Sequence, residues 1–199
     1  MNLKICNDSS EVSSGPVGTL CDEQRREIYI TGMVDLDMYQ NAVAAIKHLD
    51  QTMGDIVLVI NTCGGNASAG QSIADAIKLT KNRVVAHCYG ECMSIGMTIL
   101  QACDVRLSAP GCRFMVHDVR WEMSQVSLSE AEKYLEEFKA INARYYEVLL
   151  ERSSLTFNEI SVLCKRETYM SAAVAAGFGF LDGILTPPVK KAKRCLKAA

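Results

Sequence analysis

No apolar run in this sequence approaches the ~18 residues that a membrane-spanning helix needs. The opening stretch, Met1 to Asp8, lacks the apolar segment of a secretory signal. An excess of one charge is equally missing. The 21 basic and 23 acidic residues leave a net charge of -2, so nothing electrostatic points to nucleic acid. The one basic cluster, Lys190, Lys191, Lys193, Arg194 and Lys197, reads as a solvated tail over 187–199. Histidine is scarce, with only His48, His87 and His117, and no Cys-x-x-Cys pair exists, which removes the zinc-ligand patterns. The nine cysteines are an odd number without the spacing of a disulfide scaffold. Several lie in apolar runs, where a free thiol packs as a small hydrophobe. These absences predict a cytoplasmic, reduced protein with no membrane partner, no nucleic-acid partner and no metal.

What is present suits one α/β domain. At 199 residues and 49% hydrophobic, the chain has ample material for a buried core. Ser13, Ser14, Gly15 and Pro16 group in a polar opening, which predicts a flexible segment over about 1–25. Glu27–Thr31 reads as a strand, and 37–49 as a helix with apolar residues at Met38, Ala42, Ala45, Ile46 and Leu49. Ile56–Ile60 is a short apolar run, as in a strand covered on both faces. A helix over 69–80, a strand at Val84–Cys88, a helix from about Met93 and strands near Val105 and Phe114–Val116 complete the rhythm. Alternation of this kind predicts parallel pairing with right-handed crossovers. Ser127 and Glu130 form a capping-box pattern ahead of a long helix over about 128–152. Its apolar stripe runs through Leu128, Leu135, Phe138, Ile141, Tyr145 and Leu149. Thr156 with Glu159 opens a shorter helix, and Ser171–Ala176 a last one stopped by Gly177.

Two glycine-bearing turns carry the chemistry. Asn61 to Asn66 holds Gly64 and Gly65 between a buried strand and a helix, where adjacent glycines allow close approach and outward N–H groups. Gly65 to Ser72 nearly matches a phosphate-binding loop, but Gln71 replaces the lysine that reaches the phosphates. The second turn, Gly90 to Gly96, presents Ser94 at a strand-to-helix junction with N–H donors of the helix start alongside. It departs from the G-x-S-x-G elbow at Cys92. His117 ends an apolar strand and is the natural candidate for a general base. Its rivals are placed structurally: His87 inside a strand, and His48 in a polar stretch of helix.

In order and spacing, these segments resemble the proteolytic subunit of the Clp protease (ClpP). The resemblance is carried by Ile60 to Gly65, Ala69-Gly70 with Ile73, Gly90 with Ser94 and Gly96, and Phe114 to His117. It continues through Met170 to Ala172, Gly177 and Leu181 to Ile184, covering about Arg26 to Thr186 as one peptidase domain. It implies an α/β fold of repeated β-β-α units, as in ClpP and crotonases, with the 128–152 helix protruding as a handle. It also implies that Ser94 is the nucleophile, His117 the base and Glu167 the acid, with the backbone N–H groups of Gly65 and Ile95 forming the oxyanion hole. The implied assembly is a homo-oligomer of heptameric rings stacked as a tetradecamer. An AAA+ unfoldase would feed it unfolded protein, and ATP would be that partner's cofactor, the chain having none of its own.

Three positions depart from the family pattern. Cys63 replaces the usual proline, Glu167 replaces aspartate, and Lys165 stands where an acidic residue usually precedes the arginine, here Arg166. In the family that dipeptide helps pair the rings, and pairing is coupled to an ordered triad. Four functions follow in decreasing agreement with these residues. They are a Clp-type serine endopeptidase, a catalytically weakened structural or regulatory ring subunit, a phage-type capsid-maturation protease, and a crotonase-type acyl-CoA enzyme. The last does not need a Ser94–His117 pair.

Overall fold

The computed structural model describes residues 4–5, 20–121 and 124–186. The described chain runs β1 (Lys4–Ile5), β2 (Leu20–Asp22), β3 (Glu27–Val34), α1 (Leu36–Leu49), β4 (Ile56–Gly65), α2 (Ala67–Lys78), β5 (Val84–Met93), α3 (Ile95–Ala102), β6 (Val105–Ser108) and β7 (Arg113–Val116). It continues with α4 (Leu128–Leu150), α5 (Phe157–Lys165), β8 (Thr168–Ser171), α6 (Ala172–Gly177) and β9 (Gly183–Ile184). This is the mixed α/β fold expected, with helical crossovers between parallel strands and one long helix.

The strand order is β1-β2-β3-β4-β5-β6-β9, with β7 and β8 branching from β5. From β3 to β9 the main path is parallel, and β2 is antiparallel to β3. The sheet therefore begins ahead of Arg26, inside the segment read as flexible. Residues 6–19 and the basic tail at 187–199 lie outside the described residues. Ile28, Ile30, Ile56, Leu58, Ile60, Ala86 and Cys88 are fully buried on the central strands. Met38, Ala42, Ile46 and Leu49 of α1 and Ile73 and Ile77 of α2 cover them, which is the helical spacing seen in the sequence. Side-chain caps fix the helix starts: Asp35 accepts from the Met38 N–H, and Asn66 from that of Ala69. Both capping boxes, Ser127 with Glu130 and Thr156 with Glu159, are formed.

Two features place the functional groups. First, β4 and β5 are each ten residues long and run straight through the stretches read as glycine turns. Register shifts between Thr31 and Met33 and between Ile60 and Thr62 let the strands continue there. Second, β5 changes partner along its length. Val85–Cys88 pairs with β6, whereas Glu91–Met93 pairs with β7. The fork brings the end of β7 beside the end of β5.

Helix α4 divides into two halves. Tyr145, Tyr146, Val148 and Leu149 are buried against the domain, but Leu128 is 77% exposed and Leu135 52%. The apolar stripe thus continues onto a part of the helix that the domain does not cover. Among the described residues no helix is long and apolar enough to cross a membrane, and all seven described cysteines are free, six of them buried.

Candidate active site

The junction between β5 and α3 is a strained elbow. Ser94 has φ 54° and ψ −125°, a conformation that costs a non-glycine residue on the order of 1–3 kcal/mol and persists only where its surroundings impose it. They do so here. The Ser94 N–H donates to the Met115 carbonyl at 2.9 Å, and the Ser94 carbonyl accepts from the Met97 N–H at 2.9 Å. The Tyr145 hydroxyl donates to that carbonyl at 3.3 Å. Burial pushes this phenol well above its ordinary pKa, so it remains a donor. Although Ser94 occupies the N-cap position of α3, its side chain makes no capping hydrogen bond. The hydroxyl goes elsewhere.

It goes to His117. Ser94 Oγ and His117 Nε2 lie 2.7 Å apart, within the reach that proton transfer requires. The β5–β7 pairing produces this contact, since it sets Met93 beside Met115 and carries each strand on to its polar residue. The turn after His117 is anchored separately. The Asp118 N–H donates to the Cys164 carbonyl at 3.2 Å, and the Val119 N–H to Asn142 Oδ1 at 3.0 Å. The Tyr146 hydroxyl donates to the Asp118 carboxylate. Burial first, and then the Arg120 guanidinium, hold the imidazole below its ordinary pKa, while Glu167 pulls the other way. A neutral imidazole at neutral pH is a competent proton acceptor.

The glycine pair lies against the serine. Gly64 has φ +95°, and a Cβ on it would sit 2.6 Å from Ser94 Cβ. Thr62 pins this stretch: its hydroxyl donates to the Gly32 carbonyl at 2.5 Å and accepts from the Gly64 N–H at 3.0 Å. The Asn66 N–H is taken by the Val34 carbonyl at 2.7 Å. The N–H groups on either side of Gly65 are therefore already committed. Ile95 is the first residue of α3, so its N–H has no acceptor within the helix. Gly96, next in line, lets α3 approach β4 closely, since a Cβ there would meet Thr62 Cγ2 at 2.6 Å. Beside Ile95 opens a cleft of about 470 Å³ lined by Ala67, Thr98, Val119, Ile141, Arg144 and Tyr145, among others.

Glu167 is placed near but not in contact. The antiparallel β7–β8 register pairs Val116 with Thr168, so one step outward it sets Glu167 opposite His117. Its backbone is also in the left-handed region, at φ 48°. The carboxylate, however, turns to the Arg120 guanidinium and to the Tyr169 hydroxyl, which donates to Oε1 at 3.1 Å. His117 Nδ1 is buried and has no side-chain hydrogen-bond partner, the Asp118 backbone being the polar group that acts on it. With Nε2 accepting from Ser94, Nδ1 carries the hydrogen, and no carboxylate receives it. The expected Glu167–His117 contact is thus not made, because a permanent cation and a phenol have taken the carboxylate. Sequence reasoning missed Arg120, Asp118, Asn142 and Tyr169, since their contacts cross between elements and leave no local pattern. His87 sits half-buried on β5 and His48 is exposed beside Glu23 at 3.6 Å, both away from this corner. Among the described residues no group of three metal-ligating side chains is placed to hold an ion.

This arrangement can pass a serine proton to an imidazole and present backbone donors beside the oxygen left behind. The family model described as Clp protease matches residues 11–188 of the 199. That span contains every element from β2 to β9 and every residue of the elbow, the glycine pair and the histidine turn, and the chain belongs to the Clp protease family.

Proposed function

We propose that the chain is a serine endopeptidase subunit of a self-compartmentalising barrel that hydrolyses unfolded protein. The observation that carries this reading is the 2.7 Å contact between Ser94 Oγ and His117 Nε2 at a strained elbow beside the glycine pair. His117 takes the hydroxyl proton as Ser94 Oγ attacks the peptide carbonyl carbon. The new C–O bond pushes the carbonyl electrons onto oxygen, where the N–H groups of Gly65 and Ile95 stabilise them. The imidazolium then protonates the leaving amine as the C–N bond breaks. Water, deprotonated by the same imidazole, hydrolyses the acyl-enzyme. Glu167 supports the imidazolium once its carboxylate reaches Nδ1. The cleft beside Ile95 is large enough for a substrate side chain.

Family membership and the exposed apolar residues on the first half of α4 support an assembled form. Heptameric rings of this chain pair as a tetradecamer through the handle, and a cytoplasmic AAA+ unfoldase supplies the substrate and consumes the ATP. A second reading, a catalytically weakened ring subunit, draws on the turned-away Glu167 carboxylate. A fluorophosphonate probe followed by peptide mapping separates the two. The peptidase reading expects the label on Ser94. A folded, assembled protein that takes no label, or takes it on another serine, would defeat it.

Ring pairing should carry an unusual salt dependence. Lys165 and Arg166 are exposed at the end of α5, immediately before Glu167. Two adjacent cations facing their symmetry mates repel one another, and salt screens that repulsion over about 8–10 Å. Sedimentation velocity should find the double ring strengthened by added salt. Lys165→Glu should strengthen it at low salt and flatten the dependence. A double ring indifferent to both changes would remove any electrostatic role for this dipeptide.

A further inference from the structure

The corner around His117 contains two groups that the proposed chemistry leaves idle, Arg120 and Tyr169. Arg120 lies three residues beyond His117 and pairs with Glu167 Oε2, while the Tyr169 hydroxyl holds Oε1 at 3.1 Å. Arg113 sits over the Tyr169 ring at 5.5 Å, steadying it. Both oxygens of the carboxylate that the β7–β8 register sets opposite His117 are therefore engaged elsewhere, and the buried His117 Nδ1 is left with no side-chain partner, beside the Asp118 backbone. The other ionisable groups at this corner do not fill the gap. The Asp118 carboxylate is held by Tyr146 and Asn142, Tyr145 is bound to the Ser94 carbonyl, and the Cys164 carbonyl takes the Asp118 N–H.

We infer that Arg120 is a positioning residue that parks Glu167 away from His117, so that the Arg120 ion pair and the Glu167–His117 hydrogen bond exclude each other. This rests on the serine-peptidase reading above. The physical reason is a competition for one carboxylate. Guanidinium is charged at every working pH, whereas the imidazole carries charge only after it has taken the Ser94 proton. In the resting site the permanent cation wins. During acylation the imidazolium must attract a carboxylate that is already paired, while Arg120 itself repels the new positive charge. Both effects slow the proton transfer. Glutamate suits such parking, because its extra methylene relative to aspartate lengthens the reach from the β7–β8 ladder toward Arg120. Arg120 is 73% exposed at its side chain, so replacing it removes the contact without opening the core.

The test uses the full-length assembled protein and five forms: wild type, Arg120→Gln, Arg120→Lys, Glu167→Gln and the double variant of Arg120→Gln with Glu167→Gln. Fluorophosphonate labelling of Ser94 and kcat/KM on a fluorogenic peptide are followed from pH 5 to 9. Arg120→Gln should raise both rates about twofold to fivefold, the population change that loss of an exposed ion pair produces. It should also move the acid limb of the profile to higher pH, because His117 gains a carboxylate and loses a neighbouring cation. In the Glu167→Gln background the gain should shrink to the smaller part that relief of the Arg120–imidazolium repulsion alone supplies. Arg120→Lys, which keeps the charge but not the planar fork, should fall between wild type and Arg120→Gln. Labelling that is unchanged or slower in Arg120→Gln, or a gain that is undiminished in the Glu167→Gln background, overturns the inference and leaves the peptidase reading standing. No labelling of Ser94 in any form defeats that reading, and the inference with it.

Discussion

Ser94→Ala should lower hydrolysis of a fluorogenic peptide about a million-fold, the usual effect of removing the nucleophile of a serine–histidine pair. Its assembly should remain that of the wild type. The Ser94 hydroxyl does not cap α3, and its contact is with His117. Alanine preserves the Cβ that packs against Gly64, and the backbone hydrogen bonds from Met97 and to Met115 need no side chain. The change therefore falls on the chemistry and leaves packing alone. Peptide turnover and sedimentation of the variant read the two effects separately. Retention of more than a few per cent of the activity would show that another group attacks the substrate.

Gly64→Ala should be the next most damaging single change, although it deletes no functional group. The new Cβ would sit 2.6 Å from Ser94 Cβ and 2.9 Å from the Met93 carbonyl oxygen, and the backbone at φ +95° disfavours any side chain. Neither neighbour is the free end of a flexible chain, so the elbow itself has to move. A displacement of about 1 Å at a reacting group costs on the order of a hundredfold in rate. The left-handed backbone adds roughly 1–3 kcal/mol of destabilisation. We expect labelling of Ser94 to slow about a hundredfold, with a lower thermal midpoint. Gly111→Ala is the matched control, because an added Cβ there meets nothing within 4 Å, and it should change neither quantity. Wild-type labelling in Gly64→Ala would mean that the glycine pair does not shape the nucleophile.

The sequence exposed these elements unevenly, and the reasons are physical. Periodicity located α1 and α2 because each buries a continuous face, and the paired Ser127–Glu130 and Thr156–Glu159 signals located the starts of α4 and α5. Glycine misled at β4 and β5, where bulged strands run on through Asn61–Gly65 and Gly90–Met93 in place of the expected turns. The apolar stripe on α4 runs on through the exposed Leu128 and Leu135, because a stripe records a need for cover and does not say which chain supplies it. Strand β8 went unseen because its four residues lie between a helix end and the Ser171 cap of α6. With β8 hidden, nothing local could set Glu167 opposite His117. Nor could anything local reveal that Arg120, 47 residues away in sequence, would hold the carboxylate. Ser94 and His117 stood out because each ends a legible apolar strand, whereas the state of the acid depends on a side-chain choice that no pattern encodes.

The single Thr62 hydroxyl that ties the Gly32 carbonyl to the Gly64 N–H has a consequence for the life of the newly made chain. The elbow, the glycine pair and the histidine turn belong to the ends of β4, β5 and β7, and β3 supplies the Gly32 anchor. These strands meet only after crossovers of some 20–30 residues have closed, and such non-local pairing forms late and slowly in folding. A nascent or partly folded chain therefore carries the serine and the histidine without the geometry that joins them. On the peptidase reading proposed above, the centre is completed only when these strands lock into register, so the topology itself would keep the unfinished chain chemically silent.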